Sequence, residues 1–172
     1  MPVSIWKGNS VKILIASTLA LICFVCDVNG HGPNDRSKIL ISFKSHGDHC
    51  FSLCVGEGDL ACCPVYSVTI NGDGQVEYDG TMGVKVRGKK AHSVSAAQVA
   101  QLVENFYKIG FFSLSDSYDD HRFDHYNAFT IALTVGERKK SIYVAQGQPD
   151  ELNVLMHKVI EVSGISKYLG RS

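Results

Sequence analysis

Two stretches of this chain turn too tightly for anything but antiparallel pairing. In the first, Tyr66, Val68 and Ile70 alternate with Ser67 and Thr69, Asn71-Gly72-Asp73-Gly74 intervenes, and Gln75-Val76-Glu77-Tyr78 follows. Alternation with a period of two marks a strand with one buried face, and Asn-Gly and Asp-Gly accept positive φ at little cost. In the second, Phe129, Ile131, Leu133 and Val135 alternate with Thr130, Ala132 and Thr134, Gly136-Glu137 turns the chain, and Ser141 to Val144 returns. A parallel neighbour needs a crossover of about a dozen residues or more, so each stretch predicts an antiparallel hairpin.

The remaining elements fall around these hairpins. Ile39, Ile41 and Phe43 alternate with Leu40, Ser42 and Lys44, a first strand, and Val84 and Val86 predict a further strand after a break at Asp79-Gly80. Ser95 and Gln98 match a capping box, in which each side chain satisfies an orphan backbone donor. Val99, Leu102, Val103 and Phe106 then follow the spacing of one buried helix face, with Gly110 where a left-handed cap belongs. Phe111, Phe112 and Leu114 are expected to plug the core beneath that helix end. A last helix begins at Pro149 with Asp150 and Glu151 in its first turn; its stripe is Leu152, Leu155, Met156 and Val159, and Gly164 lies just beyond. The order strand, hairpin, strand, helix, hairpin, helix predicts an α+β domain, an antiparallel sheet of about five to six strands with two helices packed on one face. This domain covers residues 39–163, after a polar lead-in at 31–38 and before a short tail at 164–172.

The first thirty residues have the pattern of an export signal. Lys7 and Lys12 precede the apolar run Ile13 to Val25, and Val28-Asn29-Gly30 supplies small residues at a cleavage site,. The run is shorter than the roughly 20 apolar residues of a membrane span. Cleavage after Gly30 predicts a secreted or periplasmic protein with no stable span; the alternative is an uncleaved segment that anchors the chain. Beyond Gly30, fifteen basic residues face sixteen acidic ones. That balance gives no basic field of the kind nucleic acid demands. Arg87-Gly88-Lys89-Lys90 and Arg138-Lys139-Lys140 fit the solvated faces of strands.

Four cysteines, Cys50, Cys54, Cys62 and Cys63, lie beyond the signal. An even number in an exported chain predicts disulfides, and four cysteines admit three pairings. A zinc site is a poorer fit. His46 and His49 are near, but the adjacent pair Cys62-Cys63 strains a tetrahedron. A redox enzyme would want Cys-X-X-Cys at a helix N-terminus, and the sequence beyond Gly30 has no such motif.

The segments Cys63 to Gly80 ("CPVYSVTINGDGQVEYDG"), "VKVRGKKAHSVSAAQVAQLVENF", "FFSLSDSY" and "FTIALTVGERKKSIYV" together resemble the domain of unknown function 6438 family of exported bacterial proteins. The resemblance runs from about Ile39 to Val162. It implies a small α+β domain in an exported protein and brings no assigned activity. The family pattern has a Cys followed by an aromatic residue, a very short loop, then Cys-Pro-Val-Tyr; here Cys50-Phe51 and Cys63-Pro64 match its halves around a lengthened loop. The resemblance therefore implies two nested bridges, Cys50–Cys63 as the family pair and Cys54–Cys62 closing the insertion. A bridge over a loop of about 15 residues contributes roughly 3 kcal/mol in the chain-entropy treatment.

One further segment carries chemistry-bearing side chains. "DSYDDHRFDHY" offers Asp116, Asp119, Asp120, His121, Asp124 and His125, with Ser113, Ser115 and Ser117 close by. Spacing along a loop does not place a base within reach of a nucleophile, so the plain expectation is a polar connection between Phe112 and Phe129. The expected function is that of an exported, non-enzymatic domain without a cofactor. Its role is structural or in binding, at the cell envelope or outside the cell, with an unidentified protein or envelope component as partner. The cysteine loop and the Ser115–Tyr126 connection are its candidate contact surfaces. The alternative is a metal-binding or hydrolytic protein using Asp116, Asp119, His121, Asp124 and His125.

Overall fold

The first strand holds the middle of the sheet. A computed structural model describes residues 35–47, 64–120 and 127–170. Strands β1 (Ile39–Ser45), β2 (Val65–Asn71), β3 (Gln75–Met82) and β4 (Gly88–Ser93) precede helix α1 (Ala96–Lys108). The two-residue β5 (Ser117–Tyr118), then β6 (Phe129–Val135) and β7 (Arg138–Val144), precede α2 (Asp150–Ser163) and the single-turn α3 (Ser166–Leu169). They form one sheet of seven strands in the order β4-β3-β2-β1-β6-β7-β5. The α+β class is as expected, but the sheet is mixed. Among the described residues it has seven strands, and β5 runs parallel to β7. The long connection from β4 through α1 allows this, since it carries the chain from one edge of the sheet to the other.

Alternation decides which face is covered. Ile41 and Phe43, Val68 and Ile70, Val76 and Tyr78, Ile131 and Leu133, and Ile142 are all buried, and they form one cluster with the stripes of both long helices. Both helices therefore lie on one face. Ser95 caps α1, with the reciprocal Ser95 and Gln98 bonds of a capping box in place. Gly110 follows at φ 66°, a conformation that glycine adopts without steric cost. The Phe111 ring is buried and meets Phe106 edge-on at 4.8 Å. The Arg138 guanidinium lies 4.1 Å over the Phe112 ring.

The β2–β3 turn is fixed by Asn71, whose side-chain oxygen accepts from the backbone N–H of Asp73 (3.1 Å) and of Gln75 (2.9 Å). The strand expected at Val84 and Val86 is a correction. β3 continues through Gly80 to Met82, residues 83–86 bend, and the fourth strand is Gly88–Ser93. Val84 is buried as a plug. The Val86 backbone is held at both ends, its N–H donating to the Tyr168 carbonyl at 3.0 Å and its carbonyl accepting from the Tyr78 hydroxyl at 2.9 Å. Gly80 makes room for that second bond, because a Cβ there would lie 2.2 Å from the Tyr78 hydroxyl oxygen.

The end of the described chain packs against the sheet. Ile165 is fully buried, and the Tyr168 ring lies 5.1 Å from that of Tyr78. The His92 Nε2–H donates to the Ser163 carbonyl at 2.7 Å, tying the end of α2 to the edge strand β4.

Candidate functional site

At one end of the sheet, β1 stops where β2 and β6 begin. Ser45 pairs with Tyr66 on one side and with Phe129 on the other. Its side chain is buried, donates to the Pro64 carbonyl and accepts from Asn127 Nδ2 at 2.8 Å. The Asn127 oxygen accepts from the Gly47 N–H at 2.9 Å, and the His46 N–H donates to the Ala128 carbonyl at 2.9 Å. Asn127 thus uses both halves of its amide to fasten neighbouring strand ends. Gly47, Pro64 and Asn127 all meet at this one junction.

His46 projects to the face away from the helices, with Nε2 2.7 Å from Thr130 Oγ1 and its ring 6.0 Å from the Tyr143 ring. Beyond β5, the Tyr118 carbonyl accepts from the N–H groups of Ala145 (2.7 Å) and Gln146 (3.2 Å). Asp120 lies against Gly147, where an added Cβ would sit 3.2 Å from the Asp120 Cβ.

The candidate residues are distributed unevenly over this end. Asp116 is committed to Lys140, whose Nζ lies 2.6 Å from Oδ1 and also donates to the Leu114 carbonyl. Asp119 follows β5 directly, near the junction in sequence. Cys50, Cys54, Cys62, Cys63, His121, Asp124 and His125 lie outside the described residues. Among the described residues, no three His, Cys, Asp or Glu side chains converge as a metal would need, and no helix is long and apolar enough to cross a membrane.

Among the described residues, the sheet face opposite the helices carries no packed element. Reading across the strands, Lys44, Ser67, Asp79 and Lys89 form one row, and Ser42, Thr69, Glu77 and Ala91 form the next. A shallow cleft of about 470 Å³ opens over the β2–β4 part of this face, lined by Ser67, Thr69, Glu77, Asp79 and Lys89 among others. These residues are the outward members of the alternation, visible in the sequence only as polar filler. Beneath them two phenols are perturbed. Burial, with Tyr78 alongside, pushes Tyr66 up. Tyr78 is pushed up to about 12 by burial, then by the Asp79 charge and by Tyr168.

The profile of the domain of unknown function DUF6438 matches residues 53–163. The chain belongs to this family. The DUF6438 match takes in every strand from β2 onward and both long helices. It includes Cys54, Cys62 and Cys63 and begins after Cys50. A comparison with curated proteins finds no match.

Proposed function

We propose that this DUF6438 protein is an exported, non-enzymatic domain with a binding or structural role at the cell envelope or outside the cell. Its contact surface is the end of the sheet at which Ser45, Gly47, Pro64 and Asn127 meet. The observation that carries the reading is the Asn127 junction, which fastens Ser45 and Gly47 while Ser45 holds Pro64. It fastens three strand ends to one another, and recognition surfaces are commonly carried where a stiff scaffold ends. Export is supported by the first thirty residues, and nested pairing, Cys50–Cys63 and Cys54–Cys62, by the family resemblance.

Two measurements test this reading. A photo-crosslinking residue at Asp119, compared with one at Glu137 in the β6–β7 turn at the far end, is expected to capture a partner only from position 119. Thiol titration of the processed protein without reductant is expected to find no reactive cysteine. Cytosolic retention with four free thiols would overturn it.

A second reading, a metal-binding or hydrolytic site around Asp116–His125, draws on His46 and Thr130, an imidazole within hydrogen-bond reach of a hydroxyl at the same end,. A stoichiometric metal bound by the purified protein, or loss of a hydrolytic activity in His46→Gln, would favour it.

A further inference from the structure

We propose that the sheet face opposite the helices docks onto a second copy of this chain, about a two-fold axis that runs parallel to β2. The inference is independent of the contact surface placed above at the end of the sheet. It starts from the register. Lys44 on β1 and Asp79 on β3 are both direct neighbours of Ser67 on β2, one on each side. Ser42 and Glu77 flank Thr69 in the same way. A basic group and an acidic group thus stand at equal distances on opposite sides of one strand. Rotation about an axis along that strand brings β1 of one copy over β3 of the other and keeps the row. Lys44 then meets Asp79 of the second copy, with Glu77 adjacent, and the contact occurs twice because a two-fold interface uses the same patch from both sides.

Shape agrees with charge. The cleft lies on the β3 side of β2, with Ser67 and Thr69 as its floor, whereas exposed Lys44 stands on the β1 side. One side is a recess and the other a projection. Stacked sheets lie about 10 Å apart, a gap that a lysine stem from one copy spans. Short side chains at Ser42, Ser67, Thr69, Ala91 and Ala132 on this face allow the approach. The cleft is lined by two carboxylates, Glu77 and Asp79, and by two ammonium groups, Lys89 and Lys90. By register the charges that meet are Lys44 and Asp79, with Glu77 and Lys89 outward beside them. Among the described residues none of these four side chains is held in an ion pair within its own copy. Leu40, 45% exposed in the same plane, adds apolar area.

Five strands overlap in this arrangement, β4 through β6. At about 4.8 Å between strands and about 3.3 Å per residue, the overlap is roughly 24 by 23 Å, or about 550 Å² a side. That is near the low end for specific interfaces, so the dimer is a weak, concentration-dependent one.

Sedimentation velocity of the purified chain across a concentration series tests the proposal. Reversible dimerisation is expected, weakened at least about tenfold when salt rises from about 0.05 to 0.5 M, where screening shortens to a few ångströms. Lys44→Glu and Asp79→Lys are each expected to abolish it with unchanged thermal melting, since both positions are at the surface. The double variant, or an equimolar mixture of the two single variants, is expected to restore it. A chain that stays monomeric at millimolar concentration, or a dimer indifferent to both substitutions, overturns the proposal. So does a face that is occupied by a different co-purifying molecule whose loss follows the same substitutions. None of these outcomes bears on crosslinking from Asp119.

Discussion

Replacing Gly80 by alanine places a methyl carbon 2.2 Å from the Tyr78 hydroxyl oxygen and 2.5 Å from the Val86 carbonyl oxygen. Those two atoms are the donor and acceptor of one hydrogen bond, 2.9 Å long. The methyl cannot enter without separating them or moving a strand. Forcing an extra carbon into a packed site costs about 1–3 kcal/mol, and loss of a hydrogen bond adds about 1 kcal/mol. The expected destabilisation is therefore about 2–4 kcal/mol, a large share of the roughly 5–15 kcal/mol that holds a typical domain together. Urea denaturation followed by circular dichroism reads it as a lower midpoint with an unchanged slope. The decisive measurement is a double-mutant cycle with Tyr78→Phe, which removes the hydroxyl and with it the shortest of three clashes, leaving those with the Val86 carbonyl oxygen and, at 2.8 Å, the ring Cζ. In that background Gly80→Ala is expected to cost about 1–2 kcal/mol less than in the wild type. Additivity within about 0.5 kcal/mol would refute the account of why glycine stands at this position.

Asn127→Ala removes two hydrogen bonds at once and strips buried Ser45 of a donor; a loss of about 2–3 kcal/mol is expected by chemical denaturation. Ile165→Ala empties a fully buried site and is expected to cost about 2–5 kcal/mol in the same assay. Ser95→Ala breaks the capping box of α1 and is expected to cost about 1 kcal/mol. The raised phenol of Tyr78 gives an alkaline limit. The folded state keeps its proton up to about 12, while the unfolded chain releases it near the ordinary tyrosine value of about 10. The unfolded state thus binds fewer protons between these values, so stability is complete below about pH 10 and falls as pH rises toward 12. Midpoints measured from pH 8 to 11 should be flat at first and then decline, and the decline should lessen in Tyr78→Phe.

Elements that bury one regular face were legible. The Asn71–Gly74 turn, the alternation of β6 and the capping box of α1 each follow from local chemistry, and each stands where the sequence placed it. β4 was not legible because it lies at the edge and buries no residue fully, so Gly88–Ser93 shows no apolar alternation. Val84 and Val86 imitated a strand because a buried plug and a hydrogen-bonded bend also favour valine. β5 escaped because two residues carry no period, and its parallel pairing depends on β7. The docking of Ile165 and Tyr168 rests on contacts with residues far away in the chain. The same holds at the candidate site. Asp116 looks like a reactive carboxylate in a list of residues, whereas its position beside Lys140 comes from a partner 24 residues on. Asn127 gave no signal, since a junction between three strand ends leaves no local pattern.

The placement of β1 between β2 and β6 also governs how the polypeptide reaches its folded state. The first four strands can close as a local meander, but Ile39–Ser45 then waits for Phe129–Val135, a partner on the far side of α1. Non-local pairing of this kind is slow, and until it happens one margin of the half-built sheet is a bare, largely apolar template for any other chain. Fragments that end before residue 129 should accordingly precipitate during expression, and chaperone demand should be greatest just before β6 emerges.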